Sequence, residues 1–180
     1  MPTYEERIHG LSVFDSVAIG FSAERGLFDS LTPAQETAIQ RSLERVELWS
    51  VHAKKVDALS AGEYQRVRLA RQFALNRTIM LLDEPFSYLD AQHVSKLTHY
   101  LKTLSAEEKS VIITSHELNH VARCCDKILV LDGGRQAAFA HTTDVMQSDI
   151  LRKVFKLNFV SVSHPENGDI QLLFPHEDQV

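Results

Sequence analysis

Three short runs constrain the fold of this chain more than any other feature. Ile79-Met80-Leu81-Leu82, Val111-Ile112-Ile113-Thr114 and Ile128-Leu129-Val130-Leu131 are almost wholly apolar. Each is too short for a helix and shows no polar alternation, the pattern of a strand buried on both faces. Helical patterns fill the gaps between them. Ser60-Ala61-Gly62-Glu63 is a capping-box pattern, opening a helix to about Asn76 with Tyr64, Val67, Ala70, Phe73 and Ala74 on its buried side. A second helix is expected from about Ala91 to Leu104 and a short one from Glu117 to Cys125. Strands alternating with helices imply an α/β domain with a mainly parallel sheet flanked by helices.

The flanking regions carry their own signals. Ser12 caps a short helix carrying Val13, Val17 and Ile19. Thr32-Pro33-Ala34-Gln35 opens a longer one, through Ile39, Leu43, Val46 and Leu48 to Trp49. Asp132-Gly133-Gly134-Arg135 reads as a turn into a fourth strand, followed by helical segments from Thr143 to Phe155. A C-terminal β-hairpin is expected from Phe159–Ser163 and Ile170–Phe174, around a turn at Pro165–Asp169.

A length of 180 residues suits one domain, or one and a half. Lys and Arg total 19 against 24 Asp and Glu, a net charge of −5. That balance argues against a nucleic-acid coat or a polybasic membrane binder. No apolar run is long enough for a membrane helix, and the first residues lack the charged-then-apolar layout of a signal peptide. Cys124 and Cys125 are adjacent and cannot staple distant segments, so they read as helix-packing residues of a reduced, cytosolic chain. None of the seven glycines begins G-x-x-x-x-G-K-[ST] or G-x-G-x-x-G. These residues therefore contain no phosphate-cradling P-loop and no dinucleotide fingerprint.

Four groups of residues carry candidate chemistry. Asp83 and Glu84 end a buried strand, where open α/β sheets bind ligands. One carboxylate there can hold Mg²⁺ and its neighbour can orient or deprotonate water. Leu59-Ser60-Ala61-Gly62-Glu63 places a hydroxyl and a near-bare backbone at a helix N-terminus, an anion site, with Gly62 allowing a phosphate close to the backbone. Arg66, Arg68 and Arg71 resemble a nucleic-acid patch, but the acidic balance favours a solvated helix face. His116 leaves the Val111–Thr114 strand at the same edge as Asp83, placed to contact a terminal phosphate.

In this order the pieces resemble the ATP-binding subunits of ABC transporters. Leu59–Glu63 is similar to their signature motif and Ile79–Glu84 to the Walker B strand with its catalytic glutamate. Ser87-Tyr88-Leu89-Asp90 is similar to the D-loop, and His116 to the switch histidine. Within the family the likeness is greatest to importers of iron-siderophores, haem and vitamin B12. It rests on Gly62–Ala70, Ser115–His120 and Leu157-Asn158-Phe159, which particularly resemble vitamin B12 importer ATPases. The resemblance implies a partial P-loop NTPase fold with a helical subdomain and the cofactors ATP and Mg²⁺. Asp83 would serve Mg²⁺, and Glu84 would polarise the attacking water. His116 would contact the γ-phosphate. Ser60 and Gly62 would grip the nucleotide of an opposite subunit, and Asp90 would link the two sites. The implied partners are a second ATP-binding subunit, head to tail, and a membrane permease. The implied location is cytoplasmic, peripheral on the inner membrane face.

Along the chain this gives a helical and signature region at about 3–76, a Walker B to switch-histidine core at 77–140, and C-terminal helices and a hairpin at 141–180. Two departures stand out. Ala61 replaces the first signature glycine, and Thr3 falls at the Q-loop glutamine position. The expectation is a cassette of this importer class, truncated before its P-loop and inactive on ATP by itself. The alternatives are a non-catalytic degenerate cassette that docks on a partner, or a gene fragment. A rival signal is His116-Glu117-Leu118-Asn119-His120, which matches the H-E-x-x-H zinc-hydrolase motif if Ser115 caps the helix and puts both histidines on one face. Zinc is not expected, because a strand abuts the first histidine and no third ligand is evident.

Overall fold

The computed structural model describes residues 7–24, 30–165 and 168–174. Ser12 accepts the Asp15 N–H and starts α1 (Val13–Ala18). Thr32 and Gln35 cap each other at the start of α2 (Pro33–Arg45). The apolar spacing predicts a helix to Trp49, but α2 stops at Arg45. Glu47 turns left-handed with φ 59°, Leu48 N–H donates to Leu43 C=O at 2.8 Å, and Glu47 N–H donates to Glu44 C=O at 3.0 Å. This is a Schellman ending, with buried Leu43 and Leu48 at the two positions that accompany it.

The Ser60–Glu63 box opens α3 (Ala61–Leu75), and Asn76 closes it in the left-handed conformation. There follow β1 (Ile79–Asp83), α4 (Ala91–Ala106), β2 (Ser110–Thr114), α5 (Leu118–Cys124), β3 (Lys127–Asp132) and β4 (Arg135–His141). The chain then forms α6 (Thr142–Gln147), α7 (Ile150–Phe155), β5 (Val160–Ser163) and β6 (Ile170–Leu173). The α/β class is the one expected. Of the mainly parallel sheet, the described residues hold one parallel pair, β1–β2, beside the antiparallel pairs β3–β4 and β5–β6. The connections decide this. Parallel neighbours need a crossover such as α4, whereas the two-residue turn Gly133-Gly134, with φ of 54° and 76°, returns the chain antiparallel.

The described residues form two compact units. One runs up to His93 and includes Leu104–Thr114; the other comprises Val94–Thr103 and the chain from Ser115. In the first, α1, α2 and α3 bury Val13, Val17, Ile39, Leu43 and Val67. Phe21 is part of this core too. In the second, Ile128, Val130, Met146, Leu151, Phe159 and Leu172 make one cluster.

Burial corrects the reading of the three apolar runs. Met80 and Leu82 are buried, but Ile79 and Leu81 are 62% and 66% exposed, and Ile112 is 56% exposed. Leu129 and Leu131 of β3 are likewise exposed. The composition is that of strands covered on two sides; among the described residues only one side is covered. We predict that the purified chain self-associates through this face. The pair Leu81→Lys and Ile112→Lys should shift its elution toward monomer and change stability by less than about 0.5 kcal/mol, as surface changes do. Leu172→Ala, at a site 1% exposed, should cost about 2–5 kcal/mol in a denaturant titration. An elution profile unmoved by the lysine pair would count against the prediction.

Candidate functional site

The N-terminus of α3 is built tightly. Leu59 is buried, and its carbonyl accepts from Arg7 Nη1 at 2.8 Å. Ser60 Oγ accepts the Glu63 N–H at 3.2 Å, and Glu63 Oε2 accepts the Ser60 N–H at 2.7 Å. That Ser60 N–H is the main reason the Glu63 carboxyl titrates below its ordinary 4.5. Ala61 is exposed at the first helical position. Gly62 serves a purpose the sequence did not show. A Cβ there would lie 2.7 Å from the Tyr88 carbonyl oxygen. The glycine's bareness is filled by the chain's own backbone.

The end of β1 meets this helix. Asp83, the last strand residue, is exposed, and its Oδ1 accepts from Thr114 Oγ1 on β2. Glu84 then turns left-handed with φ 47°, its N–H donating to Thr114 C=O at 3.0 Å. Such a conformation is uncommon outside glycine and is retained where the surroundings enforce it. Here they include Gln65. Its buried Nε2 donates to Glu84 C=O at 3.0 Å and to Pro85 C=O at 3.2 Å. Its Oε1 accepts from Arg68 Nη1 at 3.0 Å. One amide thus fastens α3 to the turn that carries Glu84, whose Oε2 is shut off from solvent. Gln65 was not a sequence candidate. The signal was a polar residue one and two turns before buried Leu69 and Phe73, on the inward face.

Asp90 precedes α4 and acts as its cap. Its Oδ1 accepts the His93 N–H at 2.9 Å and lies 2.8 Å from His93 Nδ1. The His93 N–H is the main reason its carboxyl lies below the usual aspartate range. His93 Nε2 is also 3.5 Å from Glu47 Oε2. The first unit therefore brings together Leu59–Glu63, Asp83, Glu84 and Asp90. A cleft of about 190 Å³ between α3 and β1, lined by Gln65, Arg68, Leu81 and Asp83 among others, is smaller than ligand pockets of about 300–1,000 Å³.

His116 lies in the second unit, exposed, with Nε2 3.7 Å from Glu117 Oε1. It precedes its helix. Glu117 occupies the cap position and α5 begins at Leu118, so the condition for a zinc helix, both histidines on one helical face, is not met. Among the described residues no three His, Cys, Asp or Glu converge as metal ligands. Thr3 lies outside the described residues. The arginine face is corrected as well. Arg66 Nη1 donates to Val46 C=O at 2.8 Å, and Arg71 binds the Ser16 carbonyl and hydroxyl at 2.9 and 3.0 Å. Arg66 and Arg71 thus join α3 to the end of α2 and to α1, while Arg68 braces Gln65 within α3 itself.

Known proteins resemble this chain in sequence and in fold. The ABC transporter family model matches residues 3–87. The iron(3+)-hydroxamate import ATP-binding protein FhuC of Bacillus subtilis is 30% identical over 169 residues, 93% of this chain and 63% of that protein. Both matches are to ABC transporter ATP-binding proteins. Another ABC relative is the vitamin B12 import ATP-binding protein BtuD of Vibrio vulnificus, 32% identical over 81% of this chain and 59% of its own length. A solved metal-chelate type ABC transporter in an inward-facing conformation has the same fold. Its TM-score is 0.82 at 22% identity, covering 97% of this chain and 70% of that one. The chain thus spans 63% and 59% of the two curated ABC relatives. No described helix is long and apolar enough to cross a membrane.

Two outcomes are expected at this candidate site. Gly62→Ala should push Tyr88 and its turn away from α3, lowering stability by about 1–3 kcal/mol, as overpacking does. An unchanged melt would show that the turn relocates freely. Because the Glu63 carboxyl is held below 4.5, the cap's contribution is intact above that pH and is lost as pH falls through the lowered value. Hydrogen exchange in the first turn of α3 should accelerate on acidification. Glu63→Gln, which keeps an acceptor but cannot titrate, should flatten that dependence.

Proposed function

We propose that this chain is the signature-motif and Walker B portion of an ATP-binding subunit of an ABC importer, serving uptake of vitamin B12, a ferric siderophore or haem. The observation that carries the reading is the joining of Ser60–Glu63 to Asp83-Glu84 through Gln65 and the Tyr88 carbonyl. The names of the curated relatives support the importer class. The regions at about 3–76, 77–140 and 141–180 then act as the signature subdomain, the catalytic core and the C-terminal appendage.

The residues present fit the implied groups. Asp83 offers an exposed hard-oxygen donor for Mg²⁺, oriented by Thr114 Oγ1. Mg²⁺ bound with ATP supplies charge neutralisation on the phosphates. Glu84 orients the attacking water and accepts its proton at the carboxylate. His116 donates to a phosphate oxygen. Ser60 Oγ and the first α3 amides bind phosphate oxygens of a nucleotide held by a second, head-to-tail subunit, where the helix dipole favours negative charge. Asp90, fixed by His93, carries contact across that dimer. A permease receives the resulting motion, which places the chain at the cytoplasmic membrane face.

A second reading, a non-catalytic module docking on a partner, is favoured by one fact: the 180 residues hold no G-x-x-x-x-G-K-[ST] run. Both readings agree that the chain alone releases no phosphate from Mg-ATP above background. A turnover abolished by Glu84→Gln would refute that. They separate when the family's P-loop half is supplied as a second polypeptide. The ATPase reading expects restored hydrolysis that is lost in Glu84→Gln and His116→Ala and indifferent to His120→Ala and to zinc chelators. A folded complex with no hydrolysis would leave the docking module as the better account.

A further inference from the structure

The adjacent cysteines do more than pack a helix. Cys124 ends α5, Cys125 follows it, and their sulfurs are 3.6 Å apart. Both are unbridged thiols and half-buried, so small reagents can reach them. The peptide around Cys125 is held at both ends. Its N–H donates to Val121 C=O at 2.9 Å, and its carbonyl accepts from Thr142 Oγ1 at 2.5 Å. Thr142 N–H in turn donates to Asp126 C=O at 3.0 Å. The two sulfurs are therefore presented side by side from an anchored backbone.

The spacing selects the chemistry. A direct S–S bond of about 2.05 Å would require the sulfurs to close from 3.6 Å against that anchored peptide. One bridging atom with two bonds of about 2.3 Å spans the same 3.6 Å at an angle of about 100°. A linear two-coordinate centre would need about 4.6 Å on the same bond length. Tetrahedral zinc needs further protein ligands, and no third His, Cys, Asp or Glu converges among the described residues. What remains is a pyramidal centre that takes two sulfurs and brings its third substituent with it.

We propose that Cys124 and Cys125 form a dithiol site for monosubstituted trivalent arsenic. The capture is an exchange without oxidation or reduction. A hydrated arsenical R–As(OH)₂ loses its two hydroxyls, two As–S bonds replace two As–O bonds, and the two thiol protons leave with the hydroxyls as two waters. The local charges assist the first step. The two thiols share one hydrogen bond, which either sulfur can donate, so one of the pair ionises more readily than the other. Lys102 and Asp126 are the charged groups acting on the pair. The more readily ionised sulfur attacks first, and its neighbour closes the ring.

The site is independent of the proposed ATP chemistry and is tested on the full chain with phenylarsine oxide. One equivalent should bind per chain, survive excess 2-mercaptoethanol and be removed by 2,3-dimercaptopropanol. Cys124→Ser and Cys125→Ser each keep one thiol and should bind at least about 100-fold more weakly in the monothiol, since the second bond is intramolecular. Circular dichroism identifies folded variants, and prior alkylation of the unsubstituted chain repeats the test without any substitution. Binding that persists in either single variant, two equivalents per chain, or zinc retained through dialysis would each overturn the assignment.

Discussion

The Gln65 amide is the junction on which the first unit turns. A buried amide must use its hydrogen-bonding atoms or cost stability. Gln65 uses its own by holding two successive carbonyls, at Glu84 and Pro85, and one guanidinium, at Arg68. The two carbonyls belong to a turn whose first residue is left-handed, so the hydrogen bonds help offset that conformation. On the other side of the turn, the Tyr88 carbonyl approaches Gly62 too closely for any side chain. Helix start and strand end are thereby fixed to each other by backbone contacts. The α3 terminus and the Asp83-Glu84 pair therefore keep a constant spacing within the first unit.

Much of this was legible from local chemistry. The caps at Ser12, Thr32 and Ser60 are short-range patterns, and each opens the helix it announces. The glycine pair at 133–134 and the strand composition of Val160–Ser163 and Ile170–Leu173 placed both hairpins. Order along the chain also grouped Leu59–Glu63, Asp83-Glu84 and Asp90, which the first unit brings together, with His116, which lies in the second. Capping and turn formation depend on residues within about four positions of one another, which is why a sequence reveals them.

What escaped was decided by distant partners. The end of α2 is the local exception: Glu47 turns left-handed, and Leu48 N–H returns to Leu43 C=O. Gly62 faces a carbonyl 26 positions away, and Arg71 reaches Ser16 across 55. Three arginines on one helix look solvated until the acceptors they satisfy are known. The apolar runs announced strands correctly, yet their composition cannot say what covers each face. Burial belongs to the assembly and not to the run.

The register of β1 against β2 has a consequence beyond pairing. Residues alternate faces along a strand, so a slip of one position exchanges them all. Met80 and Leu82 face inward, and their burial turns Asp83 outward toward solvent. A slip would bury Ile79 and Leu81 in their place, a near-even exchange of apolar side chains. It would also carry the Asp83 carboxylate inward, and an unpaired buried charge is what that face cannot accommodate. In this strand the acid, more than the grease, holds the register.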